Sequence, residues 1–212
     1  MNSQLIVWTV KVMATVFGLD AKTYAPHADE TVQERETRYT SIATDLYDVV
    51  NDEDEAPLYD GKDGRIKTAL TLLSIASFES GFRKDVDLGL GTQARGDHGR
   101  SVCLAQINVG GGRIKLTKTG IEFPQDGSGY SASDIINDRK VCFRIALHIA
   151  RMSFACGNSE EGSLQMYASG KCDGGAWESR NRIRRAMKWY GQYQETMSNQ
   201  DSAVNEKDES GK

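Results

Sequence analysis

Apolar residues along this chain recur mostly at helical spacing, in segments separated by glycine-rich stretches. Leu5 to Val16 is an apolar run broken only by Lys11 and small or polar residues. It falls short of the about 20 apolar residues of a spanning helix. No basic residue precedes it, as one would in an export signal. A packed helix or strand is the first expectation for it, and a degenerate export segment the second. Residues 19–38 are polar and hold Pro26, which predicts a linker or surface arm. From Tyr39 to Val50, Ile42, Ala43, Leu46, Val49 and Val50 fall on one helical face. The acidic stretch 51–57, closed by Pro57, ends that helix, and Gly61 to Gly64 turns the chain into the next, Ile66 to Ser80.

Residues 84–112 are glycine-rich and irregular, with a short strand expected near Val102–Asn108. A helix is expected from Ser133 or Asp134, as cap, to Phe154. A short helix at Glu160–Tyr167, a turn at Ser169–Gly175 and a last helix from Ser179 to Tyr193 follow. The tail from Ser198 has no aromatic residue and predicts disorder. The expected class is mainly α (α+β), a helical domain with a small β element and a substrate cleft. The division is an N-terminal arm or degenerate export segment at 1–38, a main domain that holds the cleft at 39–195 and a disordered polar tail at 196–212.

Composition changes this picture little. Hydrophobic residues at 39% and charged residues at 26% suit a soluble globular chain. A net charge of -4 gives no overall attraction to nucleic acid or to anionic polymers, so a nucleic-acid partner is not expected. No stable membrane span is expected either, and a monomer is. His27, His98 and His148 are scattered and suggest no metal site.

Cys103, Cys142, Cys156 and Cys172 are even in number and lack zinc-like spacing, which points to two disulfides and an extracytoplasmic destination, whether periplasmic, secreted or virion-associated. On one continuous helix, Cys142 and Cys156 would stand about 21 Å apart. A disulfide tolerates no more than about 7 Å between Cα atoms, so those two are not expected to pair. The preferred arrangement is Cys103–Cys142 with Cys156–Cys172, and the crossed one is the alternative.

The residue with the clearest chemistry is Glu79. It lies seven after Leu72 and three after Ala76, so it extends an apolar stripe rather than a solvated face. Gly81 then breaks the helix. Desolvation and the negative end of the helix dipole both disfavour a carboxylate there. Both raise its pKa, as a general acid working near neutral pH requires. The plain alternative is a helix-end glutamate bonded to a neighbouring loop.

Ser77-Phe78-Glu79-Ser80-Gly81-Phe82 resembles the Glu-Ser-x-Phe signature of lytic transglycosylases and goose-type lysozymes. Gly96-Asp97-His98-Gly99-Arg100-Ser101 leading to Cys103-Leu104-Ala105-Gln106-Ile107-Asn108 resembles their second motif, and Met166-Tyr167-Ala168-Ser169-Gly170 their third. The resemblance covers about Ile66 to Tyr190. It implies a peptidoglycan-cleaving glycosidase that uses no cofactor and acts on the MurNAc-GlcNAc β-1,4 bond. Glu79 would be the acid, with Ser80 beside it, Gln106, Ser101 and Asn108 contacting sugar, and Tyr167 orienting or bonding to the glutamate.

Two positions depart from the family's pattern. Cys103 stands where glycine usually precedes Leu, and Ser169 near the usual Asn. Asp97 matches the water-positioning aspartate of the lysozymes, whereas their second aspartate is Asn108 here. Inverting hydrolysis needs a second carboxylate about 6.5–9.5 Å from the acid. The plain alternative for Asp97 is a turn-forming residue. Lysozyme-type hydrolysis is slightly favoured. Lytic transglycosylation giving 1,6-anhydro ends, and a non-catalytic glycan-binding or virion structural protein of this fold, are the alternatives. The basic run Arg180, Arg182, Arg184, Arg185 and Lys188 reads first as a solvated helix face, and Trp177 and Trp189 as core residues.

Overall fold

The computed structural model describes residues 3–16, 29–91, 94–156 and 163–210. Among them the chain is mainly helical with a small antiparallel β element. Its helices are α1 (Ser3–Val16), α2 (Val32–Asn51), α3 (Gly64–Glu79), α4 (Lys84–Asp87), α5 (Ala132–Asn137), α6 (Arg139–Cys156), α7 (Gln165–Ser169) and α8 (Ala176–Ser210). Two short hairpins complete it: β1 (Ser101–Val102) with β2 (Ile107–Asn108), and β3 (Lys115–Thr117) with β4 (Gly120–Glu122).

Helix α3 is the centre of the bundle. Every residue from Thr68 to Ser77 is buried, so the helix has no solvent face over that span. Its interior hydroxyls are satisfied locally or by the neighbouring helix. Thr68 and Thr71 donate to the carbonyls of Gly64 and Lys67, each at 2.8 Å. Ser74 donates across to the Arg182 carbonyl of α8 at 2.8 Å, which ties the two helices together. The stripe expected through Leu72, Leu73 and Ala76 is thus part of a helix enclosed on all sides, and Glu79 is the carboxyl at the end where it emerges.

The first hydrophobic run forms α1 and packs into the bundle. Leu5, Trp8, Val12 and Met13 are buried, and the Trp8 ring meets Tyr193 of α8 edge-on at 5.6 Å. Residues 17–28, including Pro26 and His27, lie outside the described residues. The arm expected up to residue 38 gives way to α2 at Val32, with a capping box between Thr31 and Glu34. The reason is ionic. Arg35 and Arg38 sit at buried positions because Glu30 and Asp87 neutralise them. Hydropathy alone reads such residues as surface.

Asp87 is the hub of this network. Its carboxylate accepts from Arg139 Nε at 2.6 Å and Nη2 at 3.1 Å, and lies 3.4 Å from Arg38 Nη1. Arg38 also donates to the Phe82 carbonyl at 3.0 Å, so the network grips the chain three residues beyond Glu79. Burial alone would raise the Glu30 pKa, but the hydrogen bonds and charge of Arg38 and Arg35 outweigh it and hold that carboxyl below its ordinary value.

Other boundaries differ from expectation for identifiable reasons. The helix expected from 133 to 154 is two helices, broken at Asp138, whose side chain accepts from the Lys140 and Val141 amides. Ser131, not Ser133 or Asp134, is the cap of the first. The last helix does not end at Tyr193 but runs to Ser210, in place of the disordered tail. No Gly or Pro interrupts residues 192–210, and glutamates, glutamines and alanine favour helix there. The hairpin β3–β4 was not expected at all, and residues 160–162 of the expected 160–167 helix lie outside the described residues.

Both disulfides end on α6. Cys103 joins Cys142, and Cys156 joins Cys172, with Cα atoms 6.3 and 5.3 Å apart. This is the preferred of the two pairings left open by spacing. Two disulfides are compatible with an oxidising, extracytoplasmic setting. No helix among the described residues is long and apolar enough to cross a membrane.

Candidate active site

A groove of about 640 Å³ opens where α3 ends. Glu79 and Arg182 line its floor; the Gly96–Asn108 loop, the β3–β4 hairpin, α6 and α7 supply its walls. The Gly96–Asn108 wall is built from unusual backbone. Asp97, His98, Cys103 and Gln106 all have positive φ, between 47° and 61°. Such conformations cost energy for residues with a Cβ and persist only when their surroundings enforce them. Here the enforcement is visible. The Cys103–Cys142 disulfide fixes one side, and the Gln106 amide clips the loop to itself. Its Oε1 accepts from the Gly96 amide at 2.9 Å and its Nε2 donates to the Cys103 carbonyl at 3.0 Å.

That clip leaves no room for a side chain at residue 96. A Cβ there would lie 2.4 Å from Gln106 Oε1. The backbone of Gly96, at φ -78° and ψ 178°, suits alanine, so only the clash would act. Gly96→Ala is therefore expected to displace the Gln106 amide and to cost about 1–3 kcal/mol of stability through the hydrogen bonds lost. Denaturant unfolding with wild type as reference measures this. Equal midpoints would show that Gln106 does not brace the loop.

Asp97 is exposed at the rim, in a 3-10 turn (Asp97–Gly99). Its Oδ2 accepts from Ser101 Oγ at 2.6 Å and from Asn108 Nδ2 at 3.3 Å. Asn108 thus aims the Asp97 carboxylate, where the resemblance implied only a lost second aspartate. Ser101 does the same from a buried position.

Glu79 lines the same groove, its side chain 22% exposed. Burial raises its pKa above the ordinary carboxyl value. Arg182 opposes that, through charge and a hydrogen bond from Nη2 to Glu79 Oε1, and the Asp97 charge adds a smaller raising effect. The net direction is upward. Tyr167 of α7 also faces this carboxyl, and burial together with the Glu79 charge pushes its phenol well above the ordinary range. Of the two roles the resemblance implied, orienting Glu79 or bonding to it, the bond is not made: the Tyr167 hydroxyl donates to the Ala105 carbonyl at 2.8 Å, joining α7 to the opposite wall.

The structure thus gathers Glu79, Asp97, Ser101, Gln106, Asn108 and Tyr167 around one groove. Ser80 is not among its lining residues. Its side chain is buried, its Oγ donating to the Ala76 carbonyl at 2.9 Å and accepting from the Phe82 amide at 3.2 Å. It closes the end of α3 and presents no surface to a ligand. Ser169, whose place in the third motif departs from the usual Asn, lines the groove, its hydroxyl donating to the Gln165 carbonyl at 2.9 Å.

Two contributors were missed in the sequence. Arg182 belongs to the basic run read as solvated, and Arg180, Arg184 and Lys188 are indeed exposed. Arg182 itself is buried. The signal was present: 182, 186, 189 and 193 share one helical face, and Ala186, Trp189 and Tyr193 are all buried on it. Arg182 extends the stripe of α8 as Glu79 extends that of α3. The second omission is the β3–β4 hairpin, which brings Ile121 and a half-exposed Phe123 to the groove. Of the tryptophans, Trp189 is core as expected, but Trp177 is 66% exposed at the start of α8. His148 is buried, its ring between the Glu55 carboxylate and the Gly120 carbonyl that begins β4.

No protein-family model, curated protein or solved structure matches this chain.

Proposed function

We propose that this protein is a lysozyme-like glycosidase that cleaves the MurNAc-GlcNAc β-1,4 bond of peptidoglycan outside the cytoplasm, with Glu79 as general acid. The observation that carries the reading is a half-buried carboxyl with a raised pKa on the floor of a groove whose rim holds a second, aimed carboxylate. The groove also offers amide and hydroxyl groups beside Ile121, Phe123, Met152 and Met166, the mixture a sugar needs for its hydroxyls and its apolar ring faces.

In the hydrolytic reading Glu79 gives its proton to the glycosidic oxygen as the C–O bond breaks. Asp97 takes a proton from the water that attacks the anomeric carbon from the opposite face. Both bonds to Asp97 land on Oδ2, so Oδ1 is the oxygen assigned to the water. In a lytic transglycosylase the substrate's own 6-hydroxyl replaces that water and passes its proton to the single carboxylate that has just protonated the leaving oxygen, so a second, aimed carboxylate has no part to play. Asp97 thus favours hydrolysis.

Digestion of purified peptidoglycan followed by mass spectrometry of the fragments tests this. Reducing ends are expected. Fragments one water lighter, with anhydro ends, would move the protein to the transglycosylases, and intact glycan would sink the proposal. Asp97→Asn is expected to slow cleavage roughly 100-fold or more, within the range for loss of a positioned base. An unslowed variant would mean that the water needs no second carboxylate.

A further inference from the structure

A general acid must meet its substrate protonated, yet Glu79 is paired with an arginine, which favours the charged form. The geometry of Arg182 resolves this. Its side chain is 9% exposed, and Nη2 is committed to Glu79, whereas Nε and Nη1 are buried with no hydrogen-bond partner. A guanidinium is planar and carries five N–H donors, so leaving two of its three nitrogens unsatisfied away from water makes this a poor resting place. The Phe78 ring, with its centroid 5.5 Å from Cζ, covers the group but offers its N–H bonds no oxygen acceptor. The same residue lines the groove.

We propose that Arg182 is a latch on Glu79: it pairs with the carboxylate while the groove is empty, and it turns onto an oxygen acceptor of the bound glycan, an acetamide carbonyl or a carboxylate, releasing Glu79 to hold its proton. The inference rests on the glycosidase reading for the identity of the ligand, but the Arg182–Glu79 pair itself does not. Other charged and titratable groups facing Glu79 are Asp97 from the 3-10 turn and Tyr167 from α7, and both remain in place when Arg182 turns. Arg185, one helical turn further along α8, stays on Ser77 and Phe78. Arg182 is then a positioning residue for the ionisation of Glu79 as well as a contact for substrate.

The test combines a titration with a pH profile. Carboxyl-13C glutamate NMR follows Glu79 in the ligand-free wild type, Arg182→Gln and Arg182→Lys, assigned by its loss in Glu79→Gln. Arg182→Gln is expected to raise the Glu79 midpoint by about 1 unit or more, the usual effect of removing an opposite charge at this range, and Arg182→Lys to restore most of it. On soluble, uncrosslinked peptidoglycan strands, the alkaline limb of kcat/KM reports the free enzyme and that of kcat the complex. The kcat/KM limb should move to higher pH in Arg182→Gln while the kcat limb stays. An unmoved midpoint would overturn the latch, and so would two limbs that move together, since Arg182 would then still hold Glu79 in the complex. If wild type leaves the strands intact while the midpoint moves, the glycosidase reading and the release step fall and the resting pair stands.

Discussion

Peptidoglycan incubated with the Glu79→Gln protein is expected to remain essentially uncut, with a rate reduced about 10²–10⁴-fold, the contribution of a positioned general acid. Glutamine keeps the size of the side chain and an oxygen that can still accept from Arg182 Nη2, so the contact across α3 and α8 survives. What it loses is the proton that the leaving oxygen needs. The fold should not suffer from the loss of the charge. A carboxyl whose folded pKa is raised above its unfolded value is disfavoured by folding at neutral pH, and its penalty fades as pH falls through the folded pKa. Removing it lifts that penalty, so thermal unfolding at pH 7 should be no earlier than in wild type. Cleavage retained in full would remove Glu79 from the chemistry. Cleavage lost together with the cooperative thermal transition would point to a structural role instead.

The largest loss of stability is expected away from the groove, at Asp87. Its carboxylate is fully buried and neutralises Arg139 and Arg38 together. Asp87→Ala leaves both guanidinium groups under-compensated in an interior where breaking a buried ion pair costs about 3–5 kcal/mol. In a protein of this size that corresponds to a fall in Tm of roughly 10 °C. Glu30 retains part of the hold on Arg38, and Asp45 and Ser41 part of that on Arg139, which keeps the expected cost within that range. The variant should also be slower on peptidoglycan, because Arg38 bonds to the Phe82 carbonyl in the turn that ends α3. Calorimetry on the purified variant decides the first point. An unchanged Tm would mean that the network is redundant.

The parts of the fold that could be read in the sequence are those decided by apolar periodicity. Helices α2, α3 and the first half of α8, and the site at Glu79, follow from apolar residues recurring near every third or fourth position. The parts that could not are those decided by charge pairing. Arg35 and Arg38 sit in the interior because Glu30, a few residues back, and Asp87, distant in sequence, neutralise them. Arg182 lies on the floor of the groove because it meets Glu79. Periodicity marks the buried face of α8 but not the carboxylate that an arginine there will find. The second motif was legible as a glycine-rich loop. Its shape depends on four left-handed residues, a disulfide and one amide clip, each of which needs the others to be in place. Asn108 shows the same limit. It reads as a lost aspartate when matched to the family, and in three dimensions it steers the aspartate that remains.

The two disulfides have a mechanical consequence. One tethers the Gly96–Asn108 wall near the start of α6 and the other tethers the segment after α7 at its end. Their anchor points lie about 21 Å apart along a single helix, if its rise is regular. Helix α6 is therefore a ruler that sets the spacing between two flanks of the groove. Neither tethered flank can swing like a jaw without bending the ruler, so adjustment of the groove is left to the untethered β3–β4 hairpin and to side chains such as Arg182. On the glycosidase reading, a width gauged in this way suits a strand laid into the groove rather than one gripped by it.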